Sequence, residues 1–389
     1  MLFHELREEK AMQTTEDYMK QLTAEVDDRC RELYGNSLPD EVAKRLDDEW
    51  KVLEEHRWQI EFQGLMIVKQ ISHENDCPFI IRSPIESSFI AYLLGLSIVD
   101  PLPPHYLCPE CKLTEFPKDT SALCGPDLPD KLCPVCGTPM LKSGFDAQME
   151  FLFSRVWPYC EVRVSSMIID TIRDCLTDLY EEQEPEIDSD FMQLSSKPDG
   201  AAMIDLIDQD DYDEESPLLR KLGLIIEDIP PAGTWKLSEL IDEIIREMGR
   251  NRPIIKEIAD AVSPSCFEDF IRIDGLSHVE ETWKPLIENN RPLREIITSR
   301  DDIFNTLTRH GMDREKAYRI ASAVRKGKCF DGKHPKWPEW EKEMQEIGIS
   351  DWYIQSMKWI LYLWPRASCA ANVLRAYRTA WVKLHNHGA

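Results

Sequence analysis

Two Cys-x-x-Cys pairs constrain this chain more than any other feature of its sequence. Cys108 and Cys111 form the first pair, and Cys133 and Cys136 form the second after 21 intervening residues. Each pair can turn two thiolates toward one ion, and four thiolates complete the closed tetrahedral shell of a structural zinc site. The spacing therefore predicts a zinc-binding subdomain and not a catalytic metal with an open position. The alternative is that these cysteines are small buried hydrophobic side chains.

The sequence indicates a reducing cellular compartment. The first residues, MLFHELREEKAMQ, lack the apolar run and cleavage site of a secretory signal, and no apolar stretch is long enough to cross a bilayer. We therefore expect a cytoplasmic protein whose 12 cysteines are thiols or metal ligands, with Cys124 used in packing. A formal charge of −25 excludes indiscriminate nucleic-acid binding unless positive charge is concentrated locally.

Hydrophobic periodicity predicts an α+β fold that is predominantly helical. Residues 1–75 carry apolar residues at helical spacing, and short β-branched and aromatic runs follow from Cys77. Between Glu181 and Ser216 there are fourteen acidic residues and one basic residue, Lys197, which is typical of a solvated linker. After Pro230 the pattern predicts helices around Leu237–Met248, Pro253–Val262, Arg314–Val324 and Ser368–Leu384.

Two long segments resemble a known family. The zinc segment, DPLPPHYLCPECKLTEF followed by DLPDKLCPVCGTPMLKSGFD, resembles the zinc-binding part of the palm in PolC-type DNA polymerase III alpha subunits. From Phe267 onward, FIRIDGLSH, TSRDDIF, ASAVRKGK, DWYIQSMKWILYLWPRA and AYRTAWVKLHNH resemble the fingers of that family, in its usual order. The exonuclease and downstream DNA-binding parts of a full subunit have no counterpart in these residues, so we expect a reduced core.

The resemblance implies a reduced polymerase palm with a four-cysteine zinc subdomain, followed by an all-helical fingers-like domain. The family's long palm insert is missing between Glu182 and Ala202. Four regions follow from this comparison: an N-terminal helical and partial palm region (1–100), the zinc-binding subdomain (101–145), a degenerate palm remnant with the acidic linker (146–230) and the fingers-like domain (231–389).

The family joins nucleotides with two divalent ions held by carboxylates, and the resemblance places these carboxylates in two ways. Continuity from the zinc segment puts the family's Asp-x-Asp pair on Tyr159 and Glu161, of which only Glu161 can hold an ion. We prefer this placement because the following segment also matches the family in length. A competing alignment puts the pair on Asp188 and Asp190, and the third carboxylate corresponds to Asp205. Magnesium is the implied cofactor if activity remains.

The loop that cradles the incoming triphosphate in this family corresponds to IRSPIESS at residues 81–88. Its glycines are replaced by Ser83 and Glu86, and Pro84 removes a backbone N–H donor. A close backbone approach to phosphate needs glycine and free N–H groups. We therefore expect triphosphate binding at this loop to be poor.

Positive charge is segregated toward the carboxyl end of the chain. Between Trp352 and Ala389 there is no acidic residue, which is typical of a surface for a polyanion or an acidic protein. The family's Lys and His before the last helix appear as Arg366 and Ser368, and an aromatic residue appears as Asn372. The alternative is a solvated face that pairs with the protein's own acidic residues. The resemblance implies fingers-type phosphate binding by Arg325, Lys326, Lys328, Arg366, Arg375, Arg378 and Lys383.

These observations predict a replication-related PolC homologue that has lost efficient nucleotidyl transfer and acts by binding DNA or replication proteins. The alternative from a different class is a minimal, active, metal-dependent DNA polymerase that uses Asp188, Asp190 and Asp205. A third interpretation is a decaying gene product with a folded zinc core and no selected activity. Metal-dependent primer extension separates the second interpretation from the first.

Overall fold

The computed structural model describes residues 15–56, 58–77, 79–82, 84–149, 160–183, 204–208, 229–234, 236–278 and 291–385. Contacts divide the chain into two compact units. The first comprises residues 1–98, 108–114 and 149–216, and the second comprises residues 99–107, 115–148 and 217–389. Within the described ranges, no helix is both long enough and apolar enough to cross a bilayer.

Helices make up most of the described residues. In chain order they are α1 (Thr15–Tyr34), α2 (Asp40–His56), α3 (Gln59–Glu74), α4 (Phe89–Leu93), α5 (Ser166–Gln183), α6 (Ile241–Gly249), α7 (Ile254–Val262), α8 (Phe267–Ser277), α9 (Arg300–Arg309), α10 (Arg314–Arg325), α11 (Trp337–Glu346), α12 (Asp351–Met357) and α13 (Arg366–His385). The strands are β1 (Phe79–Arg82), β2 (His105–Leu107), β3 (Thr114–Glu115), β4 (Leu141–Ser143), β5 (Cys160–Val164) and β6 (Ile204–Asp208).

The first unit begins with α1 to α3, whose apolar residues recur at helical spacing. In α2, Val42, Leu46 and Leu53 share the buried face, and Asp40 and Glu41 lie in the first turn, where acidic side chains favour the helix dipole. The prediction of helices before Cys77 is therefore confirmed over the described residues.

A small mixed sheet completes the first unit, in the order β1-β5-β6. The central strand β5 runs antiparallel to β1 and parallel to β6. Cys160, Val162 and Val164 are buried, whereas Glu161 and Arg163 between them are half-buried, so the alternation of a two-sided strand is clear. β6 lies inside the acidic stretch interpreted as a linker. That interpretation is incomplete, because five of its residues form a strand.

The second unit contains β2 and β4, and the segment of chain between these two strands carries the cysteine pairs. β2 and β4 are antiparallel neighbours, with His105 opposite Ser143, and the sheet has the order β3-β2-β4. Gly144 has a φ of +96°, and a Cβ at this position would lie 2.2 Å from the carbonyl oxygen of Pro103. Only glycine allows this close passage of two backbones.

The other described residues of the second unit are mostly helical, as predicted, with α6, α7, α10 and α13 on the four expected segments. One core cluster joins α9 to α12 and includes Phe304, Trp337 and Trp340. α9 begins with a capping box in which Ser299 accepts from the N–H of Asp302 and Asp302 accepts from that of Ser299. The observed fold is mainly helical with two small sheets.

Candidate functional site

The four paired cysteines converge on one point. Their sulfur atoms all lie within 4.8 Å of one another. In the first knuckle, the N–H of Lys112 donates to the carbonyl of Cys108, and in the second the N–H of Gly137 donates to that of Cys133, at 3.1 and 2.9 Å. Gly137 has a φ of +75°, as the tight turn after the second pair requires.

This donor set fits a structural zinc ion. Four thiolates about 2.3 Å from one ion would lie about 3.8 Å from each other, so the observed cluster needs only a small contraction. Four protein ligands leave no coordination position for water. Cys108 and Cys133 are buried and Cys111 and Cys136 are exposed, which is the pattern of a knuckle that folds around an ion near the surface.

Two nearby side chains lie outside the cysteine cluster. His105 is buried, its Nδ1 is 2.8 Å from the carbonyl oxygen of Pro103, and its ring stacks on Phe116. Cys124 is buried and donates its thiol hydrogen to Asp127 at 3.2 Å. Burial, reinforced by the charge of Asp127, raises the pKa of the Cys124 thiol well above its usual range. Cys124 is therefore a packed thiol, as predicted.

Two of the positions predicted to carry metal carboxylates are backbone neighbours on the mixed sheet. Glu161 on β5 and Asp205 on β6 are paired in register, and Arg82 on β1 is the register partner of Glu161 on the other side. Nε of Arg163 donates to the Glu161 carboxylate at 2.6 Å. The two side chains are 14% and 22% exposed, so this ion pair is shielded from water. The competing placement on Asp188 and Asp190 lies outside the described residues, as does Tyr159.

The predicted triphosphate loop has its nearest backbone donors already engaged. After β1, a 3-10 turn (Pro84–Ser87) leads to Ser88, which caps α4. The fully buried carboxylate of Glu49 accepts from Ser88 Oγ at 2.7 Å and from the N–H groups of Phe89 and Ile90 at 2.8 and 3.1 Å. Glu49 is a residue that sequence reasoning missed, because it lies 39 residues before its partner. Ser83 lies outside the described residues.

A basic turn is exposed between α10 and α11. We define it as residues 325–336, RKGKCFDGKHPK, which carry five Lys or Arg residues against Asp331. Four lysines in the turn are exposed: Lys326, Lys328, Lys333 and Lys336. Of the predicted phosphate-binding residues, Arg325, Lys326 and Lys328 therefore lie together in this turn.

An aromatic side chain accompanies the basic turn. Tyr362 is 41% exposed, and the Arg325 guanidinium lies 5.8 Å from its ring centre and donates to its hydroxyl at 3.4 Å. Gly327, with a φ of +65°, holds the turn against this segment, because a Cβ there would lie 2.4 Å from the carbonyl oxygen of Leu361. Exposed cations beside an exposed ring are the elements of a nucleic-acid contact. The sequence offered Arg325 as a signal, but nothing in it pointed to Tyr362.

Arg366 lies in a different setting from the basic turn. Its side chain is 6% exposed and makes a bidentate ion pair with Glu268 at 2.8 and 2.5 Å. Its remaining donors reach the carbonyl oxygens of Phe145 and Leu123. Arg272 also pairs with Glu268, at 2.8 Å, and with Asp302 at 3.1 Å. Arg366 is thus a member of a buried charge network.

The other predicted basic residues lie on α13. Arg375 and Arg378 are half-buried, and Lys383 pairs with Glu247 at 2.8 Å. Lys358, before α13, pairs with Glu341 at 2.9 Å. Lys358, Arg366 and Lys383 therefore pair with the protein's own acidic residues. This is the alternative to phosphate binding that the sequence left open.

Asn372, at the position of a family aromatic residue, belongs to a polar cluster. Its amide donates at 3.2 Å to Asp274, which is fully buried and also accepts from Arg252 at 2.7 Å. His278 lies 3.4 Å from the same carboxylate and stacks on Trp364. Burial opposes ionisation of Asp274, but its hydrogen bond to His278 and the charge of Arg252 hold its pKa below the usual range.

Sequence comparison first gives the class of protein. Residues 20–194 match the sequence model of the bacterial DNA polymerase III alpha NTPase domain. This span contains both cysteine pairs, the loop at residues 81–88 and Glu161. The chain therefore carries a segment similar to part of bacterial replicative polymerase alpha subunits.

The individual relatives are more specific. PolC-type DNA polymerase III of Bacillus subtilis is 27% identical over an alignment that covers 92% of this chain and 32% of the relative. Those of Caldanaerobacter subterraneus subsp. tengcongensis and Thermotoga maritima are each 26% identical and cover 95% and 92% of this chain, and 33% of each relative. The resemblance to PolC-type DNA polymerase III is thus confirmed along nearly the whole chain. The chain spans about a third of the length of these curated relatives.

The alignments also contain many gap positions. The Bacillus subtilis alignment runs over 464 positions, which exceeds the 389 residues of this chain by 75. At least that many positions of the relative therefore have no residue opposite them here. This agrees with a lost insert, whose predicted place between Glu182 and Ala202 lies outside the described residues.

Proposed function

We propose that this protein is a replication-related relative of PolC-type DNA polymerase III that binds nucleic acid and does not carry out efficient nucleotidyl transfer. Its chemistry would be phosphate recognition by the basic turn, on a scaffold held by a structural zinc ion. Magnesium would be needed only if some polymerase activity persisted. Replication proteins are the alternative partner, to which the acidic remainder of the chain is suited.

The observation that carries the proposal is the ion pair between Glu161 and Arg163. Two-metal nucleotidyl transfer needs several carboxylates that bind the two divalent ions. Such a carboxylate must be available to the ion and not already paired with a basic side chain. Here a guanidinium 2.6 Å away already compensates Glu161, and the alignment that we prefer puts Tyr159 at the position of a second carboxylate. A divalent ion would have to displace a shielded, charge-assisted hydrogen bond and then sit beside the positive charge of Arg163.

The triphosphate loop supports the same conclusion. Pro84 offers no N–H, and Glu49 engages the two N–H groups at the start of α4. Glu86 places a second buried carboxyl group in the loop. Arg45 compensates the charge of Glu49, with its Nε 2.5 Å from the carboxylate. The N–H groups that Glu49 engages are nevertheless not available to a triphosphate, so nucleotide binding at this position is disfavoured.

The basic turn supplies the binding half of the proposal. Lys326 and Lys328 are exposed, and Tyr362 offers a ring on which a base can stack. The turn carries a net charge of +4 on a chain whose total is −25, counting histidine as neutral. Concentrated positive charge of this kind attracts a phosphate backbone even when the whole protein is acidic.

Fluorescence anisotropy with a labelled primer–template tests this proposal. We expect saturable binding that is no stronger with magnesium and matching deoxynucleotide than without them, because no ternary polymerase complex forms. Binding that strengthens only when both are added would contradict the proposal. Such a result would indicate an assembled polymerase site.

A second candidate function is a minimal metal-dependent DNA polymerase. The specific observation in its favour is that Glu161 and Asp205 are register partners on adjacent parallel strands, so two potential metal ligands lie side by side along the backbone. If this candidate is correct, primer extension should require magnesium or manganese. Asp205→Ala should then abolish the reaction.

A further inference from the structure

A cavity of about 290 Å³ lies among residues of the second unit, and its lining includes no residue of the basic turn. Its wall combines α8, α9, the 3-10 turn Leu293–Glu295 and the start of α12. Five of the lining residues are arginines: Arg272, Arg291, Arg294, Arg309 and Arg366. Of these, only Arg366 is among the residues that the family resemblance assigns to phosphate.

The five arginines form two groups, one at the base of the cavity and one at its mouth. Arg272 and Arg366, at the base, are buried and are compensated by Glu268 and Asp302. Burial opposes ionisation of Asp302, but the charges of Arg272 and Arg366 hold its pKa below the usual range. The base of the cavity is therefore fixed in its charged form.

The outer arginines are exposed at the mouth. Arg291 pairs with Glu295 at 3.3 Å and Arg309 with Asp146 at 3.4 Å, both in partly exposed geometry. Arg294 makes no hydrogen bond or ion pair with any residue in the described ranges. Exposed pairs at these distances are weak, so their donors can be redirected to a ligand at little cost.

Charge and shape favour an anion. Three carboxylates line the cavity against the five arginines, namely Asp146, Glu295 and Asp302. Glu268, which pairs with both Arg272 and Arg366, is a fourth, so an excess of one positive charge remains. The guanidinium carbon of Arg291 lies over the Trp352 ring, 4.2 Å from its centre, so contact with the ring restrains this side chain. Planar guanidinium groups held in place match the oxygens of phosphate bidentately.

We propose that this cavity is a binding site for a small phosphorylated ligand, with Arg291, Arg294 and Arg309 as the phosphate contacts. The volume is at the lower end of the range for ligand sites, which is about 300–1,000 Å³, and so suits a phosphate or pyrophosphate group with little else attached. The Trp352 ring beside Arg291 provides an apolar wall for the organic part of a phosphate ester. This site goes beyond the proposed function, because it requires neither nucleic acid nor the basic turn.

Isothermal titration of the purified protein with inorganic phosphate and pyrophosphate, at constant ionic strength set by chloride, tests the site. We expect one saturable site with pyrophosphate bound more tightly, because it offers more oxygens and charge to the same donors. A nucleoside 5′-monophosphate that binds more tightly than phosphate would identify the ester as the recognised class. No saturable heat with phosphate or pyrophosphate would overturn the proposal.

Variants locate the site. Arg294→Gln and Arg309→Gln should each weaken pyrophosphate binding by about tenfold or more, since each removes a charge-assisted contact. Arg319→Gln is the matched control, because Arg319 is an exposed arginine on α10 that pairs with Glu315. Equal weakening in the control, or none in Arg294→Gln and Arg309→Gln, would contradict the assignment. Because no DNA is present, failure here would leave the nucleic-acid proposal standing.

Discussion

At the residue scale, buried charge decides much of the stability of the second unit. Arg366 and Arg272 share the carboxylate of Glu268 and are themselves only 6% and 5% exposed. A group with such partners is costly to remove, since its loss leaves a buried charge without compensation. Arg366 therefore stabilises the fold through this buried ion pair, and it also lines the base of the arginine cavity.

Arg366→Met is the direct test of this network. We expect the free energy of unfolding to fall by roughly 3–5 kcal/mol, because Glu268 loses its bidentate partner. Urea denaturation followed by circular dichroism measures the change. Arg319→Met, at an exposed position, should alter stability by less than about 0.5 kcal/mol, and equal effects in the two variants would contradict the role given to Arg366.

Glu61 gives a prediction for pH. It is buried in α3, one of its carboxyl oxygens has no hydrogen-bond partner among the described residues, and burial raises its pKa to about 8. Between the unfolded value of 4.5 and about 8 the native state binds one more proton than the unfolded state. Stability should therefore decrease as pH rises through this range, by up to about 5 kcal/mol.

Glu61→Gln should remove that part of the pH dependence. The variant should equal the wild type near the lower end of the range and exceed it at the upper end, because the amide needs no proton to remain neutral. Unfolding curves at a series of pH values measure the difference. Parallel curves for the two proteins would show that Glu61 does not titrate in this way.

At the element scale, the turn between α10 and α11 is the exposed positive element in the described residues of the second unit. Its position depends on Gly327, whose backbone passes close to Leu361. Asp331, the acidic residue of the turn, forms an ion pair with Lys333, which compensates its charge. The lysines that remain project from a fixed backbone, and a fixed backbone reduces the entropy lost when they contact phosphates.

Charge reversal in the turn should therefore weaken nucleic-acid binding. The double variant Lys326→Glu, Lys328→Glu should bind a duplex at least about tenfold more weakly, and the slope of log K against log salt should become shallower by about 1.8. Lys342→Glu, an exposed lysine on α11, is the matched control. Unchanged affinity and slope in the double variant would exclude the turn as the contact.

At the scale of the whole molecule, the cysteine cluster closes the hairpin that contains β2 and β4. Those strands are three residues each, and so little sheet cannot hold a long loop without a further constraint. We expect one zinc ion per chain by metal analysis, and chelation should expose residues 105–143 to limited proteolysis. Cys133→Ser should reproduce this effect, whereas Cys175→Ser, outside the cluster, should not. Full protection after metal removal would show that the ion is dispensable.

A feature could be predicted from the sequence when the residues that define it are close together along the chain. The cysteine pairs and the helices of the second unit are encoded in local spacing, so both could be located without coordinates. β6 (Ile204–Asp208) could not, because a run of five residues inside an acidic stretch is too short to be distinguished from a linker, although three of the five are apolar. The arginine cavity was equally hidden, since Asp146, Arg309 and Trp352 are brought together only by packing of distant segments.

Primer extension under forcing conditions is the measurement that tests the central claim most directly. The zinc-replete protein, in excess over a labelled primer–template, is incubated with four deoxynucleotides and magnesium or manganese, beside Asp205→Ala. We expect no extension by either protein while both still bind the duplex. Extension by the wild type that is lost in Asp205→Ala would contradict the claim and identify a working polymerase.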